Sequence, residues 1–228
     1  MEKDYSEIVM QMNTAVSRSS MSVVQTNKLI RNTYMLLSMT LVFSGVMAFL
    51  SMAFNPSHGL AFAATLIGIG LLWFALPRTQ NSAAGIPVIF AMTGLLGFGL
   101  GPMLAYYVSV NPAIVMLALG GTGVIFLGLS AYALSTRKDF SFLGGFIFVG
   151  LLVAIGAMLL NLFLGIPVLA LAVSGAVILI MSGFILFQTS AMIHGGETNY
   201  ISATAGLFIS ILNIFTSLLH ILGIFGDD

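Results

Sequence analysis

Residues Phe142 to Leu164 read FLGGFIFVGLLVAIGAMLLNLFL, with no charged side chain in the run. A helix of this length rises about 35 Å at 1.5 Å per residue, enough to cross the roughly 30 Å hydrocarbon core of a bilayer. A charge at the centre of such a helix costs about 2.5 to 3.5 kcal/mol on the insertion scale, and this stretch avoids that cost throughout. Apolar residues occupy every face, so the run lacks the alternation of a strand in a membrane barrel. It reads as a transmembrane helix.

Outward from this stretch the pattern repeats. Ser135-Thr-Arg-Lys-Asp139 precedes it and Gly165-Ile-Pro167 follows, short gaps of helix breakers and charge. Seven spans result, approximately Thr33 to Phe54, Gly59 to Leu76, Ala83 to Val108, Pro112 to Leu134, Phe142 to Leu164, Ile166 to Phe187 and Tyr200 to Ile224. Whole-chain composition agrees: 59% hydrophobic and 6% charged, where soluble domains carry about a quarter charged residues. The expected fold is an all-α membrane protein of seven antiparallel transmembrane helices. Residues 1–32 form a mobile N-terminal tail, 33–225 the seven-helix domain and 226–228 a short outer C-terminus.

Basic residues orient the bundle. Lys3, Arg18, Lys28 and Arg31 precede the first span, Arg78 follows the second, and Arg137 and Lys138 follow the fourth. All fall on one side, which the positive-inside rule makes cytosolic, placing the N-terminus inside and the C-terminus outside. Tyr34, Trp73, Tyr106, Tyr107, Tyr132 and Tyr200 sit near span ends, as interfacial aromatics do. The scattered charge argues against nucleic-acid binding. The absence of cysteine excludes disulfides and thiolate metal sites. The acidic start, with Glu2, Asp4 and Glu7, is no cleavable signal peptide, so the first span serves as the insertion signal.

Small residues crowd the helices, including a Gly97/Gly101 pair and Gly150 with Ala154, which lets backbones approach closely where lipid supplies no hydrophobic drive. Gly85-Ile-Pro-Val recurs as Gly165-Ile-Pro-Val in inverted orientation, as in transporters built from inverted repeats, but four residues in so biased a composition match easily by chance. The last span carries Gly206, Ser210, Asn213, Ser217 and His220 at intervals of four, three, four and three, which puts all five on one face. Asn213 lies near the midplane, so this stripe is expected to face other helices or water and to make the last helix central. It serves either as interhelical hydrogen-bond glue or as the lining of a polar path.

Catalytic and metal chemistry find no constellation. Gly128-Leu-Ser-Ala131 carries the Gly-x-Ser element of membrane serine proteases, with His220 as the candidate base. Ser130 and His220 lie near opposite ends of their helices, about 20 Å apart in depth, beyond the reach of a nucleophile and its base. His58, His194 and His220 each lack a second ligand at helical spacing. His194 and Glu197 flank Gly195-Gly196 and read as a wet cytosolic turn within the hairpin Phe187 to Tyr200, together with Asp139 at the same face. No cofactor, metal or catalytic residue is expected.

Lys28-Leu-Ile-Arg-Asn-Thr-Tyr-Met-Leu-Leu37, Gly94-Leu-Leu-Gly-Phe-Gly-Leu-Gly-Pro102, Ala118-Leu-Gly-Gly-Thr122 and Ser135-Thr-Arg-Lys-Asp-Phe-Ser-Phe-Leu-Gly144 resemble the Bax-inhibitor family. With Phe187-Gln-Thr189, His194-Gly-Gly-Glu-Thr-Asn-Tyr200 and Asn213-Ile-Phe215 the likeness is to its bacterial YccA branch, from Lys28 to Gly223. The resemblance implies seven helices with the last enclosed by the other six. It also implies one of two activities in a bacterial inner membrane. Some members are proton-sensitive calcium leaks that use one acid at the end of the sixth helix, in a Phe-Asp-Thr context, and one midway along the seventh. The YccA branch is associated with FtsH, the membrane-anchored ATP-dependent protease, as a substrate that restrains it. Here the two acid positions fall on Gln188 and Ser210, which cannot ionise. A proton-gated divalent leak needs a group that changes charge. The balance therefore moves to a non-enzymatic FtsH substrate and modulator, with Gln188, Ser210 and Asn213 left as a possible polar lining.

Overall fold

A computed structural model describes the backbone of residues 2–225 and the side chains of residues 23–224. The chain folds as α1 (Glu2–Phe54), α2 (His58–Gly70), a π turn (Leu71–Ala75), α3 (Leu76–Thr79), α4 (Gly85–Gly99), α5 (Gly101–Val110), α6 (Pro112–Thr136), α7 (Leu143–Leu164), α8 (Pro167–His194) and α9 (Tyr200–Phe225). Among the described residues seven helical stretches are long and apolar enough to cross a membrane. α1 passes without a break through the expected boundary between residues 32 and 33. Within the expected tail the side chains of residues 1–22 lie outside the described residues, and the expected outer C-terminus 226–228 lies outside them entirely.

Local chemistry sets the ends of these helices. Asn111 caps α6 by accepting the Ala113 N–H at 3.0 Å, and Pro112 fills the first helical position, where a missing N–H costs nothing. Asn199 does the same for α9, its Oδ1 accepting the N–H groups of Ile201 and Ser202 at 2.8 and 3.1 Å. Gly195 ends α8 at φ +81°, a left-handed conformation that glycine adopts without strain. Pro77 and Pro102 deform two spans. Pro77 offers no N–H to the carbonyl four residues back, and the preceding turn widens so that the Leu76 N–H bonds Leu71 O. Pro102 likewise interrupts the third span at Leu100, separating α4 from α5.

One boundary departs from expectation. The sixth span continues to His194, so Phe187 to His194 is helix and the hairpin shrinks to Gly195–Asn199. The polar run Gln-Thr-Ser ends the apolar signal without ending the helix, because these side chains are buried against neighbouring helices.

α9 packs on α8, α6, α1 and α4, four principal neighbours where the family resemblance implies six; α7 rests mainly on α8, and α2 on α4. Its Leu207, Ile214 and Leu219 are fully buried, and Ile224 at its end is its sole exposed large apolar side chain among the described residues. α7 shows the opposite pattern, with Phe146, Phe148, Leu152, Leu162 and Phe163 exposed on lipid-facing surface. Trp73, Tyr106 and Tyr132 are exposed near span ends. Tyr34 and Tyr107 turn inward instead. Tyr34 stacks at 5.9 Å on Phe126 and lies within 3.4 Å of the Thr189 hydroxyl, while Tyr107 lies against Gly223.

The glycines divide into two groups. A Cβ on Gly97 would collide with the carbonyl of Ser44, one on Gly101 with the Ser51 side chain and one on Gly99 with Thr65. These three bring α4 and α5 against α1 and α2 at backbone distance. Gly120, Gly123, Gly145 and Gly156 have nothing within 4 Å of such a Cβ. The two Gly-Ile-Pro-Val copies also differ: Gly85 opens α4, closely packed at Thr79 and Ile201, whereas Gly165 is a left-handed turn residue in open space.

Candidate functional site at the basic end of the bundle

Five polar or small positions line one face of α9, yet most of their hydrogen bonds stay within the helix. Ser210 is fully buried and its hydroxyl donates to Gly206 O at 3.0 Å. The Asn213 amide donates to Ile209 O at 2.8 Å. His220 alone in the stripe bonds another helix, its Nδ1 lying 2.9 Å from the Ser174 hydroxyl of α8. A hydroxyl that satisfies itself on its own backbone can lie in a dry interior without a partner helix or water. The hydrogen bonds of Ser210 and Asn213 thus run within α9 rather than to another helix.

Gln188 behaves differently. It stands one turn nearer the basic end, beside Gly206, where a Cβ would lie 3.5 Å from Gln188 Cδ. It lines a cavity of about 410 Å3 together with Asp139, Ser190, His194 and Glu197. The structure therefore gathers four of the six polar positions singled out from sequence and leaves Ser210 and Asn213 outside the cavity.

Each polar group around this cavity has a positional reason. Asp139 Oδ1 accepts the Ser141 N–H at 2.8 Å, and this bond holds its carboxyl below the usual carboxylate range, with smaller help from the Ser141 side chain and from nearby His194. Glu197 Oε1 accepts the N–H groups of Thr198 and Asn199, both at 2.8 Å, while its Oε2 accepts the Ser202 hydroxyl at 2.9 Å. It thereby braces the start of α9. Asn199 ties this turn to the second loop, its Nδ2 donating to Gln80 O at 2.9 Å and Asn81 Oδ1 at 2.8 Å.

Sequence reasoning passed over Ser190. Its hydroxyl accepts the Phe140 N–H at 3.0 Å, lies 3.2 Å from Lys138 O and 3.2 Å from His194 Nδ1. One buried hydroxyl thus joins the loop after α6 to the end of α8. The available signal was its spacing of four from His194 within a helix, hidden by reading this stretch as hairpin.

Among the described residues no group of three or more His, Asp or Glu side chains is placed to hold a metal ion. Ser130 Oγ is buried without a hydrogen-bond partner, and His220 is engaged with Ser174 on another helix. The cavity is a polar vestibule at one end of an otherwise apolar bundle.

Comparison with known proteins bears on this arrangement. A family model described as Inhibitor of apoptosis-promoting Bax1 matches residues 26–227. The chain belongs to this Bax-inhibitor family. As a member it is 49% identical to the Escherichia coli K12 protein described as Modulator of FtsH protease YccA, over 93% of this chain and 97% of that one. It is 47% identical to an uncharacterized membrane protein of Vibrio cholerae, over 95% of this chain and all of the relative. A Pseudomonas aeruginosa relative is 45% identical over 96% of this chain and 97% of its own length. This Bax-inhibitor member is accordingly a multi-pass membrane protein.

Proposed function

We propose that the protein is a non-enzymatic inner-membrane substrate and modulator of the FtsH protease, acting in membrane-protein quality control. The observation that carries this is its 49% identity, across nearly the whole length of both chains, to the relative described as a modulator of FtsH protease. An Escherichia coli relative with the same identity is described as an inner membrane protein, which supports the location. The placement of Arg78, Arg137 and Lys138 at one end supports a cytosolic N-terminus.

The physical logic joins two parts of the chain. An ATP-driven protease initiates on an accessible terminal segment, and residues 1–22 precede the first apolar span. Behind that segment, Gly97, Gly99 and Gly101 lock α4 and α5 onto α1 and α2. A bundle so packed resists extraction and occupies the enzyme. Affinity isolation and chase degradation from native membranes test the proposal. Deleting Met1 to Gln25 should leave the bundle folded while abolishing both FtsH capture and restraint. Degradation of the truncated form at the normal rate would refute it.

A second reading, a cation leak, draws support from the vestibule where Asp139 and Glu197 accompany Gln188. Against it stand the neutral Gln188 and the self-bonded Ser210 and Asn213. Flux from reconstituted liposomes separates the two.

A further inference from the structure

A second cavity opens at the basic end, on the seam between α1 and α6. Its volume is about 430 Å3, and its lining includes Asn27, Ile30 and Arg31 of α1, Leu134 and Arg137 at the end of α6, and Ile193 of α8. Two arginines from separate elements line one space, and among the described residues no carboxylate lines it with them. Like charges brought together repel unless an anion joins them. α1 and α6 do not pack closely on each other here, since each rests mainly on other helices.

The backbone at Arg137 adds an independent observation. Its φ is +50°, and among the described residues Asn55 is the only other non-glycine with positive φ. Arginine rarely adopts this left-handed conformation, and such outliers concentrate where a side chain has to be placed. A glycine would end α6 with less strain but would bring no charge to the cavity. Arg137 also follows immediately on the apolar span Pro112–Thr136, which sets it at headgroup level.

A planar guanidinium matches phosphate oxygens with two parallel N–H donors, and the Asn27 amide offers another donor. Ile30, Leu134 and Ile193 give the same cavity an apolar side, which a free phosphate would not use and the glycerol and upper acyl chain of a lipid would. Basic pockets between membrane helices recognise anionic headgroups on these terms. We propose that Arg31 and Arg137 bind the phosphodiester of an anionic phospholipid, which then bridges α1 and α6. This site is separate from the Gln188 vestibule and independent of the protease reading.

The test uses the full chain in nanodiscs of equimolar phosphatidylglycerol and phosphatidylcholine, with retained lipid counted by native mass spectrometry. Phosphatidylglycerol should be enriched on the protein. Arg31→Gln and Arg137→Gln should each lower that enrichment about fivefold, and the double variant should bring it to the level of the bulk mixture. Arg137→Gly should also lose the lipid while its unfolding temperature in detergent stays the same or rises, which separates lost binding from lost folding. Arg78→Gln, at the same end on another seam, should change nothing. Equal retention of both lipids, enrichment surviving in a folded double variant, an equal loss in Arg78→Gln, or displacement of the lipid by millimolar inorganic phosphate would each overturn the proposal.

Discussion

The hydroxyl of Ser190 on α8 accepts the backbone N–H of Phe140 at 3.0 Å, fifty residues away in sequence. Through this bond the loop that carries Arg137, Lys138 and Asp139 is fixed to the helix that carries Gln188 and His194. Removing the hydroxyl leaves a buried N–H without a partner, which costs about 1 to 3 kcal/mol. Ser190→Ala should therefore lower the unfolding temperature in detergent, and hydrogen exchange at Phe140 should rise. Ser182→Ala, on the same helix but with no bond of this kind among the described residues, should have little effect.

The glycines yield a paired prediction. Gly97→Ala and Gly101→Ala would drive a methyl into Ser44 and Ser51, and overpacking of this kind costs about 1 to 3 kcal/mol. Gly120→Ala and Gly123→Ala meet nothing within 4 Å and gain helix propensity worth up to about 1 kcal/mol. Thermal unfolding of the four purified variants should show opposite signs for the two pairs.

Gln188 and Ser210, where the family resemblance implies an acid pair, carry a third prediction. The wild-type protein should pass no calcium above empty liposomes from about pH 5 to about pH 8, because neither Gln188 nor Ser210 changes charge. Gln188→Asp combined with Ser210→Asp should introduce a pH-dependent calcium flux. A wild-type flux of similar size would show that the acids are dispensable and that the leak reading stands.

Asp139 gives a pH prediction with a fixed sign. Its bond to the Ser141 N–H holds the carboxyl below the usual carboxylate range, so the folded state favours the ionised form. Its contribution is complete above the unfolded carboxylate pKa and fades as pH falls through the lowered folded one. Ser141 amide exchange, measured by mass spectrometry and corrected for its intrinsic pH dependence, should stay protected at neutral pH and lose that protection only in acid below the usual carboxylate range. Asp139→Asn should remove that pH dependence.

The composition of each segment alone determined how many times this chain crosses the membrane and near which residues. The cost of burying a segment in hydrocarbon depends on that segment's own side chains, so Phe142 to Leu164 could be read without its neighbours. Helix ends were legible where a single side chain sets them, as at Asn111 and Gly165. The end of α8 was misread because Gln188, Thr189 and Ser190 are polar by composition and buried by packing.

The tertiary structure decided which faces meet, since rotation about a helix axis is set by neighbouring helices rather than by span length. It sorted Gly97 and Gly101, where an added Cβ would strike α1, from Gly120 and Gly123, where it would meet nothing within 4 Å. It turned Tyr34 and Tyr107 inward. It also divided a sequence stripe that looked uniform: Ser210 is sealed against its own backbone, while Gln188, one turn away on the facing helix, opens onto a cavity with Asp139, His194 and Glu197.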